Sequence, residues 1–320
     1  MRMNAIDPQP ASPRPAADAE LYLGMACAVS AHVMWGFFPL YWRLFGAISP
    51  AILTAHRVAW SFLILAVVVL AVPRLRASLQ QLRNPRHLAV SIAAALAIGT
   101  NWAAFMFAVT NDQVLQASLG YYINPLLNVL LGVFFLRERL GPYQWLAVGS
   151  AALGVAIMTV AGAGVPWFAL AMAGSFATYG LLKKKTHLSP LVGMFVETGV
   201  LFPIAAVCLF TQQDAAAWAN YTPATWSLLV LGGAVTIAPL ALFAIAAKRV
   251  TLSTIGILQY IGPTLQWFVG AVLLGEPFHG SRLVGFVFVW LGVIVFISGS
   301  LISGTRRKKP GTSFRRYSDR

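Results

Sequence analysis

SLGYYINPLLNVLLGVFFLRE, residues 118–138, returns once downstream as GILQYIGPTLQWFVGAVLLGE, residues 256–276. At an offset of 138, Tyr122 falls on Tyr260, Pro125 on Pro263, Asn128 on Gln266, Gly132 on Gly270 and Glu138 on Glu276; farther on, Gly154 falls on Gly292. Each copy is an apolar segment with a proline inside it and a stripe of polar residues, followed by an acidic residue and a second apolar segment. One offset held over roughly 40 positions marks a duplicated unit. Toward the N-terminus, Trp35-Gly36 matches Tyr179-Gly180 at an offset of 144 and Ser49-Pro50 matches Ser189-Pro190 at 140, as expected of duplicates whose connections differ in length.

Composition places both copies in a bilayer. Of 320 residues 58% are hydrophobic and 10% charged, with a mean hydropathy of +0.74. Soluble domains carry about 25% charged residues, so this chain has too little charge to cover a water-facing surface and reads as an all-α membrane protein. The net charge of +14 raises nucleic acid as a partner, but the cations sit in short connections and the C-terminal tail. Arg306-Arg307-Lys308-Lys309 and Arg315-Arg316 instead suit anionic lipid headgroups. Cys27 and Cys208 lie in apolar segments without metal-ligand spacing and read as packing residues. Residues 1–20 are rich in Pro and Ala and lack a basic region followed by an apolar run and cleavage site, which predicts a disordered cytoplasmic tail.

A span needs about 20 apolar residues, and by that measure the chain has ten: residues 21–43, 50–72, 87–109, 114–136, 141–160, 165–183, 190–211, 223–247, 251–274 and 280–302. Ser49-Pro50, Ser189-Pro190 and Thr222-Pro223 each set a capping hydroxyl before a proline suited to a first helical turn. With the N-terminus inside, 20 of the 23 Lys and Arg fall on the inner side, only Arg43 and Arg282 fall outside, and Arg57 lies within a span. That asymmetry predicts both termini in the cytoplasm. Five spans per copy is an odd number, so the second copy enters the membrane from the opposite side. The expected architecture is therefore two inverted five-helix repeats, residues 21–161 and 162–302, with a basic tail at 303–320, an arrangement typical of alternating-access transporters.

Ionisable groups inside spans are the first candidates for function. Arg57 maps onto Glu197 at the offset of 140, each seven residues past its Pro50 or Pro190 helix start and so about 10 Å from its own side. Inversion brings them to opposed depths near the midplane, where they either lock the halves together or handle substrate or protons. His56 faces about 100° away from Arg57 and serves as a proton carrier or as a hydrogen-bonded packing group. In the fourth span Tyr121, Asn124 and Asn128 share one face around Pro125; in the ninth Gln259, Pro263 and Gln266 repeat the stripe, with Tyr122 and Tyr260 one position off. Amides in hydrocarbon either bond across helices or line a wet cavity, and duplication of the stripe favours a shared central cavity. Of the aromatic residues, Trp35, Trp102 and Tyr179 lie deep enough to meet a substrate, with Asn101 beside Trp102, whereas Tyr41, Trp42 and Trp267 suit interfacial anchoring. Glu138 and Glu276 end their segments and read as structural contacts.

No HExxH, GxSxG or Walker A motif occurs, and the five histidines lack metal spacing. The reading is thus of no enzyme, metal or cofactor. WGFFPLYW at 35–42, His56-Arg57 with Trp60-Ser61, Asn101-Trp102, SLGYYINPL at 118–126, Glu197-Thr198 and LQYIGPTL at 258–265 resemble the RarD branch of the EamA family in the drug/metabolite transporter superfamily. The resemblance covers about residues 21–302. It implies ten helices in two EamA repeats, a central substrate cavity, and a bacterial inner-membrane permease of a group associated by name with chloramphenicol sensitivity. Gln116 and Ala51 stand where that branch carries acidic residues, so no proton-coupling role transfers to them.

The function expected is a secondary transporter of a small organic metabolite or drug, amino-acid-like or amphenicol-related, with lipids around it and protons as the candidate coupling ion. The expected substrate site comprises Trp35, His56, Arg57, Asn101, Trp102, Tyr121, Asn124, Pro125, Asn128, Tyr179, Glu197, Gln259, Tyr260, Pro263 and Gln266. The alternatives are an uncoupled facilitator and a non-transporting scaffold or lipid-binding protein.

Overall fold

Backbone amides with no water around them must bond to one another within their own segment, and the chain meets this demand with helices. A computed structural model describes residues 14–45, 48–110, 114–160, 167–212, 218, 220–273 and 280–306. In order the helices are α1 (Arg14–Trp42), α2 (Pro50–Ala71), the short α3 (Pro73–Ser78), α4 (Pro85–Thr110), α5 (Val114–Leu136), α6 (Pro142–Val160), α7 (Trp167–Lys185), α8 (Pro190–Gln212), α9 (Pro223–Arg249), α10 (Leu252–Leu258), α11 (Ile261–Phe268) and α12 (Gly280–Arg306). Ser49 accepts from the Ile52 amide and Thr222 from the Thr225 amide, each ahead of a proline at the first turn. At Ser189 only the backbone follows the expected pattern: its carbonyl accepts from Gly193, and its Oγ has no partner among the described residues.

Among the described residues six helices are long and apolar enough to cross a membrane, spanning 18–45, 50–71, 85–105, 142–160, 190–211 and 223–249, and shorter apolar runs cover 120–136 and 283–299. Phe134, Val160 and Phe210 are 74%, 86% and 82% exposed. Apolar side chains so bare belong in hydrocarbon rather than water. α1 starts at Arg14, earlier than the span expected from residue 21.

The expected ninth segment is not one helix. Pro263 has no N–H to offer the Gln259 carbonyl four residues back, and that carbonyl accepts instead from Gly262 at 3.1 Å. The chain turns at Gln259-Tyr260, resumes as α11 and winds into a π turn over Val269–Leu273. In α5 the helix runs through Pro125 without a break.

Packing sets α6 against α12, α5 against α7 and α10, α2 against α8 and α9, α1 against α9 and α11, and α4 against α7 and α8. Small residues allow the closest crossings. A Cβ on Gly154 would lie 2.5 Å from the Gly285 carbonyl, and one on Gly256 would lie 2.6 Å from the Pro125 carbonyl. Repeat-related tyrosines cross at the α5–α11 contact, where Tyr122 donates to the Pro263 carbonyl at 3.4 Å and Tyr260 to that of Tyr122 at 3.3 Å.

Polar contacts gather at one end of the bundle. Arg137, at φ 55°, ends α5 in the left-handed region, and the next amide, of Glu138, closes back onto the Gly132 carbonyl at 3.0 Å. The Glu138 carboxylate then accepts from the amides of Leu252 and Ser253 at 2.8 and 3.0 Å and from the Ser253 hydroxyl at 2.7 Å, capping α10. Nearby, Lys184 donates to the carbonyls of Ala247 and Val250, Lys248 donates to that of Leu188, and Arg249 pairs with Glu20 at 2.8 Å. Glu276, the repeat counterpart of Glu138, lies outside the described residues. Glu138→Ala is expected to lower unfolding stability by about 1.5–3 kcal/mol, the range for hydrogen bonds to a charged group. Glu138→Gln should fall between it and the parent in thermal unfolding of detergent-solubilised protein.

Candidate functional site

A cavity of about 450 Å³ lies among α1, α2, α4, α5, α7, α9 and the α10–α11 break. Trp42, Ile48 and Pro50 line it, which sets it toward the end of the bundle opposite the Glu138 contacts. Along α1, His32, Trp35, Pro39 and Trp42 form one stripe at i, i+3, i+7 and i+10, so a single helix face supplies one wall. Phe105 and Phe176 extend the aromatic lining.

Arg57 is the one Lys, Arg, Asp or Glu among the described lining residues. Its guanidinium carbon lies 4.9 Å from the Trp42 ring centre and 5.0 Å from that of Trp102. Its Nε donates to the Thr236 hydroxyl at 3.1 Å, and that hydroxyl donates in turn to the Gly232 carbonyl. Among the described residues no carboxylate pairs with it. Aromatic faces stabilise a desolvated cation by about 2 kcal/mol, so the tryptophans hold the charge in place and leave it without an anion.

Acceptors complete the lining. His32 donates from Nδ1 to the Ala28 carbonyl at 2.6 Å, which leaves Nε2 of the neutral ring as an acceptor. Nε2 of His32 and Oδ1 of Asn124 are buried and have no hydrogen-bond partner among the described residues. Asn101 donates to the Met172 carbonyl at 2.8 Å and Gln266 to that of Trp35 at 3.1 Å, which fixes both side chains at the wall.

Of the residues picked from the sequence, Trp35, Arg57, Asn101, Trp102, Tyr121, Asn124, Gln259, Pro263 and Gln266 line this cavity. The remaining six do not, and each departure has a physical reason. Asn128 is fully buried and donates to Gln259 Oε1 at 2.7 Å, so this part of the stripe joins helices instead of facing water. Pro125 lies under the α10 crossing at Gly256. Tyr260 is buried against Tyr122. His56 is buried among the rings of Trp218, Tyr221 and Trp226, at centroid distances of 5.8, 6.4 and 5.9 Å.

Glu197 does not meet Arg57. It pairs with Lys183 at 2.6 Å and accepts from the Tyr179 hydroxyl at 3.1 Å, with all three side chains buried. Because α2 and α8 enter from opposite ends, Arg57 and Glu197 are counted inward from opposite ends too. Lys183, one position before the Lys184-Lys185 pair at the end of α7, is near enough to reach the carboxylate first.

Residues that sequence reasoning left out are His32, Trp42, Thr54 and Thr236. Trp42 sits near a segment end and was expected at the interface; its i+7 relation to Trp35 was the available signal. Thr236 carries no signal in an apolar run.

The sequence profile of the EamA-like transporter family matches residues 22–160 and 163–298. A Vibrio cholerae protein named "Uncharacterized transporter" is 42% identical over 284 residues, covering 88% of this chain and 94% of that one. "Protein RarD" of Escherichia coli is 38% identical over 289 residues, covering 89% and 97%. A solved crystal structure superposes with a TM-score of 0.66 at 20% identity, covering 87% of this chain and 96% of the other, a likeness of fold.

Proposed function

We propose that this chain, which belongs to the EamA-like transporter family, is a secondary transporter that moves a small carboxylate-bearing organic metabolite or drug by alternating access, with the cavity around Arg57 as its binding site. Its membrane domain is two inverted five-helix units, residues 21–161 and 162–302, giving ten spans in a bacterial inner membrane with both termini in the cytoplasm. The pattern of helix contacts supports a two-fold relation between the halves. Exchanging α1 with α7, α2 with α8, α4 with α9, α5 with α10–α11 and α6 with α12 turns the α1–α9 contact into α7–α4, α1–α11 into α7–α5, and α2–α9 into α8–α4. It returns α2–α8, α5–α10 and α6–α12 to themselves, and every one of these pairs is in contact.

The observation that carries the substrate reading is the guanidinium in an aromatic box with no carboxylate of the described residues against it. A charge in a membrane span costs at least about 2.5 kcal/mol unless paired or wet, and a carboxylate received by Arg57 as a forked pair offsets that cost. The test is a thermal-shift screen of the purified protein against metabolites and drugs, followed by flux in proteoliposomes. A solute at about 100 times its Kd raises stability by about 2.7 kcal/mol. Hits confined to solutes without an anionic group would overturn the reading.

Uncoupled facilitation is the second reading, since the described lining residues include His32 but no Asp or Glu. On that reading solute flux follows the solute gradient with the same rate whether or not a pH gradient is imposed. Uphill accumulation driven by the pH gradient alone would show coupling.

A further inference from the structure

We infer that the solute bound in this cavity is an aromatic monoanion that also carries a neutral hydrogen-bond donor, an N-acyl amino acid or a hydroxylated aromatic acid in chemical class, rather than a zwitterionic amino acid. The inference rests on the transporter reading and sharpens it.

Charge argues first. The described lining offers one cation and no anion. The ammonium of a zwitterion entering beside Arg57 would be desolvated near a like charge, with only the solute's own carboxylate, already engaged by Arg57, to offset both. A solute of net charge −1 brings the cavity to neutrality, whereas a zwitterion leaves it at +1.

Hydrogen bonding argues next. His32 on α1 and Asn124 on α5 line the cavity, and Nε2 of the one and Oδ1 of the other are acceptors with no donor among the described residues. A buried acceptor left unmet is costly, and a solute N–H or O–H meets one or both. An ammonium would satisfy them too, but only by adding the charge that the cavity does not balance. A neutral donor satisfies them without it.

Shape and surface fix the rest. Nε of Arg57 is used by Thr236, and the Trp42 and Trp102 rings lie against the guanidinium. The Nη fork donates no hydrogen bond to the described residues, a geometry suited to a carboxylate. Trp35 and Phe176, whose rings meet edge to face at 5.6 Å, supply wall for an aromatic body.

Four solutes with a shared phenyl ring separate these requirements: N-acetylphenylalanine (anion with an amide N–H), 3-phenylpropanoate (anion with no donor), phenylalanine (zwitterion) and phenylalanine amide (cation). Binding to the full-length purified protein is measured by thermal shift and titration at pH 7. N-acetylphenylalanine is expected to bind about tenfold or more tighter than 3-phenylpropanoate, the difference made by one satisfied buried acceptor, and tighter again than phenylalanine. The amide is expected not to bind. His32→Leu and Asn124→Leu should narrow the gap between the first two solutes by weakening N-acetylphenylalanine more than 3-phenylpropanoate. That readout does not move if either residue only supports the fold.

Phenylalanine binding as tightly as its N-acetyl form overturns the inference, as does binding of the amide. Should none of the four bind while another solute from the broad panel is bound and carried, this inference fails and the transporter reading survives. If nothing on the panel is bound or carried, both fail.

Discussion

Arg57→Ala is expected to abolish solute binding while leaving the protein folded. Truncating one partner of a buried, hydrogen-bonded charge pair costs about 2–5 kcal/mol, or about 30- to 5,000-fold in affinity. The stability side runs the other way. Without solute, Arg57 is a cation in a membrane span with two tryptophans and a threonine for company, and its removal relieves a desolvation cost of at least about 2.5 kcal/mol. A melting temperature equal to or above the parent's, joined to lost binding, is the combined signature. Arg57→Lys keeps the charge but not the planar fork or its stacking on the rings, so its affinity should fall between the two. Unchanged binding in the alanine variant would remove Arg57 from the site.

Glu197→Gln is expected to do the opposite, damaging the fold first. It leaves the Lys183 ammonium buried without its carboxylate, and breaking such a pair costs about 3–5 kcal/mol. The Tyr179 hydroxyl loses a charged acceptor as well. Replacing both ionised partners with apolar groups, Lys183→Met with Glu197→Leu, should recover most of the lost stability in thermal unfolding. Because neither residue lines the cavity, the double variant should also carry solute at near the parent rate. Stable, folded protein with flux lost in the double variant would return Glu197 to the transport mechanism.

The contrast between these two residues shows what sequence could and could not supply. Hydropathy and the 138-residue offset found the apolar segments and their duplication, because both are properties of the chain alone. Ser49, Thr222 and their following prolines marked helix starts for the same reason. The partner of an intramembrane charge is a property of packing. Symmetry-related depth suggested Glu197 for Arg57, but Lys183, beside Lys184 and Lys185 at the end of α7, had the reach. Gly193 leaves room for that pair: a Cβ there would lie 3.1 Å from Lys183 Nζ.

The polar stripe divides between two places. Tyr121, Asn124 and Gln266 face the cavity, while Asn128, one turn beyond Asn124, ties α5 to Gln259. Helical periodicity assigns Tyr121, Asn124 and Asn128 to one face of α5; only the depth at which α10 closes over that face decides where the cavity floor lies. The break at Gln259-Tyr260 was half legible too. Pro125 and Pro263 occupy equivalent positions, but a helix runs through the first and stops before the second.

The bonds from Glu138, Lys184 and Lys248 all sit at the end of the bundle away from Trp42 and Pro50. Opening the bundle at that end therefore requires ammonium and carboxylate groups on three separate segments to let go of the backbone of neighbouring helices.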